Sequence, residues 1–108
     1  MRIYKIPASG KAQYKDIEQS EAASFDEIGG RAFCLDLLGG AVAMYHRGTV
    51  FGYNLPINRL ASKIAGVSIY GDAYLCGMQE KVIRESTDID FDADVRGWMS
   101  IVEGWSRK

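Results

Sequence analysis

The chain has 108 residues, of which 47% are hydrophobic and 25% charged, and its formal net charge is -1. This length allows one domain with a single modest core, and the apolar share excludes disorder over most of the chain. A charge so close to zero gives little electrostatic drive toward DNA or RNA, so nucleic acid is not an expected partner. We expect one α+β domain over residues 1–108.

Sequence features of export and membrane insertion are missing from the chain. The first residues, MRIYKIPASGK, contain no apolar stretch before a cleavage site, and no later segment holds about 18 apolar residues in succession. We expect a cytoplasmic protein. Cys34 and Cys76 lie far apart in strand-like runs, which favours two reduced, buried thiols, with a disulfide bridge between them as the alternative.

The N-terminal part of the chain predicts a strand followed by a short helix. Charged and apolar residues alternate over residues 2–6, as they do in a half-buried strand. Ser24 and Glu27 have the spacing of a capping box, and Gly29 can supply a left-handed exit. These features predict a helix over residues 21–28.

The clearest local signal is a β-hairpin. Two apolar runs flank Gly39-Gly40, a dipeptide that allows the positive φ values of a tight turn. The pattern predicts antiparallel strands over residues 32–37 and 42–46. Residues 49–53 are expected to pair back as a third strand.

The middle of the chain predicts a meander. Residues 60–64 can form one helical turn, and the apolar runs at 67–71 and 72–77 predict one or two further strands. Residues 14–19 and 78–86 favour no definite element.

The C-terminal segment predicts an amphipathic helix over residues 92–105. Asp90 or Asp92 can cap it, and its apolar face consists of Val95, Trp98, Met99, Val102 and Trp105. The expected fold is therefore α+β, with an antiparallel sheet of four to six strands, a central hairpin and this helix packed on one face.

The segment NLPINR, from Asn54 to Arg59, suits neither a helix interior nor a central strand. Pro56 fixes φ and directs the chain out of the sheet. Asn54 and Asn58 can bond local backbone groups or present amide edges, and Arg59 offers a planar fork of donors. The segment could anchor a phosphate, a carboxylate or the edge of a nucleobase.

A structural interpretation of the same segment is equally open at this point. The asparagines would then satisfy an irregular crossover, and Arg59 would pair with an acid such as Asp72 or Asp36. If the segment binds a ligand instead, one of three nearby aromatic residues is expected to stack on it: Tyr53, Tyr70 or Tyr74.

A Leu-Pro-x-Asn-Arg motif within this segment is carried by Leu55, Pro56, Asn58 and Arg59, and a later apolar strand is bounded by Gly71, Asp72 and Gly77. With the preceding Gly-Gly and hairpin, this order resembles a family of bacteriophage and plasmid proteins, the domain of unknown function 3846, over about residues 29–77. The resemblance implies an α+β fold and an origin in a mobile element. The family has no established activity that could be transferred.

Residues for catalysis or metal binding are sparse. His46 is the sole histidine, expected at the surface at the end of a strand, with no identifiable nucleophile or acid. Cys34, His46 and Cys76 form none of the spacings of zinc sites, and the acidic run TDIDFDAD lacks the glycine and glutamate of a calcium loop. We expect no enzyme, no cofactor and no metal.

Two functions from different classes follow. The first is a non-enzymatic binding protein of a bacteriophage or other mobile element, an inhibitor that occupies a host protein, for instance one of a defence system. Trp98 and Trp105 would then be interface anchors or core residues, and self-association is a further alternative. The second is a binder that sequesters a nucleotide-like small molecule through Asn54, Asn58 and Arg59.

Overall fold

The computed structural model describes residues 1–48, 54–80 and 83–107. Tyr53 and the strand expected over residues 49–53 lie outside the described residues. The described part of the chain forms an antiparallel sheet with helices on both faces, which confirms the α+β class. Its radius of gyration, 12.8 Å, is that of one domain of this length.

Six strands form the described sheet: β1 (Arg2–Ile6), β2 (Gln13–Asp16), β3 (Phe33–Leu37), β4 (Val42–His46), β5 (Ala73–Gln79) and β6 (Glu85–Thr87). Their order is β2-β1-β5-β4-β3, and β6 pairs with the last residues of β5. The predicted hairpin is present but lies to one side of the sheet. β4 is inside and β3 is the outermost described strand on that side, whereas β5 is central because it pairs with β1, β4 and β6.

The hairpin turn has the backbone conformation that its glycines predict. Gly39 and Gly40 have φ values of 64° and 96°, and the connection is a short 3-10 turn over Leu38–Gly40. Arg84 holds this turn from outside, since its guanidinium donates to the Gly40 carbonyl at 2.6 Å and to Asp36 at 2.9 Å.

Three helices complete the fold: α1 (Glu21–Ile28), α2 (Arg59–Ala65) and α3 (Ala93–Ser106). α1 has the predicted bounds and ends at Gly29 in the left-handed region. The predicted capping box is wrong, because Ser20 caps α1 and Ser24 lies buried inside the helix. Asp92 caps α3, one of the two predicted alternatives.

Alternation along the strands divides the core between the two faces of the sheet. Leu75 faces α2 and α3, and it packs in one cluster with the buried residues of α3: Val95, Met99 and Val102. Tyr74 and Cys76 face α1 and pack with Ile28. The amphipathic C-terminal helix is thereby confirmed as a packing element of the sheet.

Both cysteines are free thiols, but their surroundings differ. Cys76 is buried on the central strand, as expected. Cys34 is exposed, contrary to expectation, because β3 is the outermost described strand on its side of the sheet. Among the helices of the described ranges, none has the length and apolar character to cross a membrane.

Candidate functional site: a cationic groove beside the Asn58 crossover

The connection from residue 54 to β5 is a loop in which residues near the two ends are hydrogen-bonded to each other. The Asn58 amide donates to the Ile69 carbonyl at 2.8 Å, and the Gly71 amide donates to the Pro56 carbonyl at 2.7 Å. α2 lies within the loop that these two hydrogen bonds close. The strand expected over residues 67–71 is reduced to a single bridge between Ile57 and Tyr70, because this segment bonds to the base of the loop instead of to the sheet.

Asn58 is the structural centre of this crossover. Its side chain is buried at 1% exposure and uses both ends of its amide. Oδ1 accepts from the Ala61 amide at 3.0 Å and caps α2, while Nδ2 donates to the carbonyls of Ile6 at 2.8 Å and Gly71 at 2.9 Å. The structural interpretation therefore applies to Asn58, which joins the end of β1 to the approach to β5.

Arg59, the next residue, is in the opposite situation. It is the first residue of α2, it is exposed, and its guanidinium has no hydrogen bond or ion pair with any residue in the described ranges. The two acids considered as its partners are engaged elsewhere. Asp72 pairs with Lys5 at 3.4 Å, and Asp36 pairs with Arg84 at 2.9 Å. The expected pairing of Arg59 with either acid is thus absent from the described residues.

A groove of about 340 Å³ lies beside Arg59, between α2, the loop that follows β1 and the last turn of α3. Arg59 and Lys63 line it from α2, four residues apart and hence on one face of the helix. Trp105 lines it from α3, and the Lys63 ammonium lies 4.7 Å from the centroid of its ring. None of the described residues that line the groove carries a carboxylate, so its charge is positive.

Neither of the two described candidate tyrosines, Tyr70 and Tyr74, lines the Arg59 groove. Tyr74 faces α1, across the sheet from the groove. Its hydroxyl lies 2.7 Å from the Ser24 hydroxyl, and its ring stacks on Tyr45 with centroids 5.0 Å apart. Tyr70, half-buried, is not among the described lining residues, and neither is the exposed Asn54. The aromatic residue of the groove is Trp105.

A second concavity of about 530 Å³ adjoins the groove, since Ala12 and Ser106 line both. Lys11 and Arg107 contribute positive charge to it, and Tyr14 contributes an aromatic ring. The Tyr14 hydroxyl donates to the Glu103 carboxylate. Burial, followed by this hydrogen bond, raises the pKa of Tyr14 well above its ordinary value.

A third concavity, of about 310 Å³, lies on the opposite face between α1 and the stacked pair of Tyr45 and Tyr74. Glu21 is the one charged side chain among its described lining residues, so its chemistry differs from that of the groove. Burial raises the pKa of Tyr45 to about 12. The site is aromatic and hydroxyl-rich, and no lysine or arginine is among the described residues that line it.

His46 is buried at 8% exposure, which corrects the expectation of a surface histidine. Its Nδ1 accepts from the Gly48 amide at 2.9 Å, and burial lowers its pKa. Among the described residues, no group of three or more His, Cys, Asp or Glu side chains is placed to hold a metal ion.

The two tryptophans pack against the α3 side of the core as half-buried residues. The sequence analysis did not place Trp105 in the Arg59 site. Trp105 reaches the groove only through the tertiary fold.

Comparison of the chain with protein families, with curated proteins and with solved structures gives no match. The resemblance to the phage and plasmid family stays an expectation from the motif residues.

Proposed function

We propose that the chain is a non-enzymatic binding protein that holds a nucleotide-like, anionic small molecule in the groove beside Arg59. The observation that carries this proposal is the contrast between two neighbours. Asn58 is buried and its side-chain amide is fully hydrogen-bonded. Arg59 lines a concavity, and its guanidinium has no hydrogen-bond or ion-pair partner among the described residues. An exposed, planar donor fork is suited to bidentate contact with a phosphate.

The rest of the groove fits the same chemistry. Lys63 adds a second positive charge, and Trp105 adds a large apolar ring against which a base can pack. The volume of about 340 Å³ lies at the lower end of the usual range of ligand sites, about 300–1,000 Å³. The size, charge and aromatic ring of the groove therefore favour a small anionic ligand with one planar ring.

In this proposal the protein acts by sequestration. It keeps a nucleotide-like molecule from its receptor without changing it, and this requires no nucleophile, general base or metal. The resemblance to phage and plasmid proteins is the ground for proposing that a mobile element benefits and that the protein acts in the cytoplasm of its host.

Occupation of a host protein, for instance one of a defence system, is the second candidate function. The observation that favours it is the presence of exposed large apolar side chains near α3, where Phe91 is 40% and Ile101 is 55% exposed. In this case the chain would bind through its surface, and small anions would have no effect on its stability.

The two candidates are separated by thermal unfolding against AMP, ADP, ATP and pyrophosphate. A ligand present at one hundred times its dissociation constant stabilises the folded state by about 2.7 kcal/mol. We expect such a shift with at least one nucleotide, and we expect Arg59→Ala to abolish it while changing the free energy of unfolding by no more than about 0.5 kcal/mol. Arg31→Ala, at an exposed site away from the groove, is the matched control and should bind normally.

A flat response to every nucleotide would contradict the sequestration proposal and favour the protein partner. Equal binding by Arg59→Ala and the wild type would also contradict it, because the ligand would then lie elsewhere.

A further inference from the structure

We infer that the ligand is a dinucleotide, with one nucleotide in the Arg59 groove and the other in the adjoining concavity of Lys11 and Arg107. This inference rests on the proposed function and adds the size and charge of the ligand. Ala12 and Ser106, two small side chains, line both concavities, so the two concavities adjoin.

Each of the two concavities is lined by a pair of cationic side chains. The groove contains Arg59 and Lys63, and the second concavity contains Lys11 and Arg107. Glu103 is the one carboxylate among the described lining residues of the second concavity, and it accepts the Tyr14 hydroxyl and lies 3.9 Å from Arg107. Each concavity is therefore net positive and can hold one phosphate.

Aromatic rings recur as well. Trp105 lines the groove and Tyr14 lines the second concavity, and both are half-buried. The Lys63 ammonium lies over the Trp105 ring and the Arg2 guanidinium lies over the Tyr14 ring, so a base would contact the remaining part of each ring. Each concavity thus offers one pair of cations and part of one aromatic ring to a nucleotide.

The net positive charge of these linings does not continue beyond the second concavity. The next one, of about 240 Å³ beyond Tyr14, is lined by two cations, Arg2 and Arg96, and by two carboxylates, Asp90 and Glu103, so the net charge of its described lining is zero. The whole chain also has a net charge of -1, which provides no long-range attraction for a polyanion. We therefore commit to a free dinucleotide and not to a long strand.

Isothermal titration calorimetry with two probes, AMP and the 5′-phosphorylated dinucleotide pApA, tests the inference. We expect pApA to bind at least about tenfold more tightly than AMP. The double variant Lys11→Ala/Arg107→Ala should lower the affinity for pApA by about tenfold or more and leave the affinity for AMP within about twofold. Arg59→Ala should weaken both, and Arg31→Ala neither.

The outcomes separate this inference from the proposed function. If AMP binds in an Arg59-dependent way but pApA binds no more tightly, or the double variant binds pApA normally, the inference is overturned and the proposed function stands. If neither probe binds, both fail. If a twelve-nucleotide oligodeoxyadenylate binds more than about tenfold tighter than pApA, the ligand is a strand and the dinucleotide is overturned.

Discussion

Removal of the Asn58 side chain is the most direct test of how the crossover is held. Asn58→Ala deletes one cap on α2 and two donations to the backbone carbonyls of Ile6 and Gly71. All three residues are buried, so water does not replace the lost donor freely. The variant leaves the surrounding apolar contacts in place, and the change reports mainly on hydrogen bonding.

The magnitude follows from the three bonds. Loss of an N-cap costs about 1 kcal/mol. A buried carbonyl left without its donor costs about 1–3 kcal/mol, and Asn58→Ala leaves two such groups. We expect the free energy of unfolding to fall by about 3–7 kcal/mol, a large share of the roughly 5–15 kcal/mol that stabilises a typical domain.

Urea unfolding followed by tryptophan fluorescence measures this loss as a lower midpoint at constant slope. Asn58→Ser is an informative comparison, since its hydroxyl can still cap α2 but cannot reach the two carbonyls. It should recover about 1 kcal/mol relative to alanine. If Asn58→Ala unfolds within about 0.5 kcal/mol of the wild type, the crossover is not held by this side chain and the reasoning is refuted.

Three further predictions concern the two faces of the sheet. Met99→Ala should destabilise by about 2–5 kcal/mol in the same urea assay because Met99 is 2% exposed, whereas Ile101→Ala, at 55% exposure, should change stability by no more than about 0.5 kcal/mol; equal losses would contradict the orientation of α3. With an aromatic disulfide reagent, Cys34 should react in the folded protein and Cys76 only after unfolding, because Cys76 is buried and burial raises its pKa to about 12; rapid reaction of both thiols would argue against this core. Stability should fall as the pH rises above 10, because burial raises the pKa of three partly or fully buried phenols, which therefore keep their protons in the folded state after the unfolded chain has lost them; urea midpoints at about pH 9 and about pH 11 measure the fall, and equal midpoints would exclude it for Tyr14, Tyr45 and Tyr74.

Local signals predicted much of the fold. The bounds of β1 and α1 are those expected, because strand alternation and a glycine exit are properties of neighbouring residues. The cap of α1 was assigned to Ser24 instead of Ser20, since two serines four residues apart can each precede a helical turn. In the structure the Ser20 hydroxyl accepts from the Ala23 amide, whereas the Ser24 hydroxyl lies 2.7 Å from the Tyr74 hydroxyl.

The site was predicted less completely than the fold. Arg59 was recognised because a proline and two asparagines mark an irregular segment in any context. Trp105 joins it only because α3 packs beside α2, a long-range contact that the local pattern does not report. Tyr74 was expected near Arg59 because the sequence does not tell which face of the sheet each residue of β5 occupies. In the structure, Tyr74 lies on the face that packs against α1.

The position of β5 in the sheet has a consequence for how the chain acquires its structure. In the described sheet, the β1–β2 pair and the β3–β4 pair are joined only through β5, which begins at Ala73. A nascent chain that has not yet supplied β5 holds two separate hairpins, and an isolated hairpin is marginally stable in water. Pairing across such long sequence separations is also slow. The domain is therefore expected to fold in one cooperative step only after β5 has been synthesised, and fragments that end before β5 should be open to proteases along their whole length.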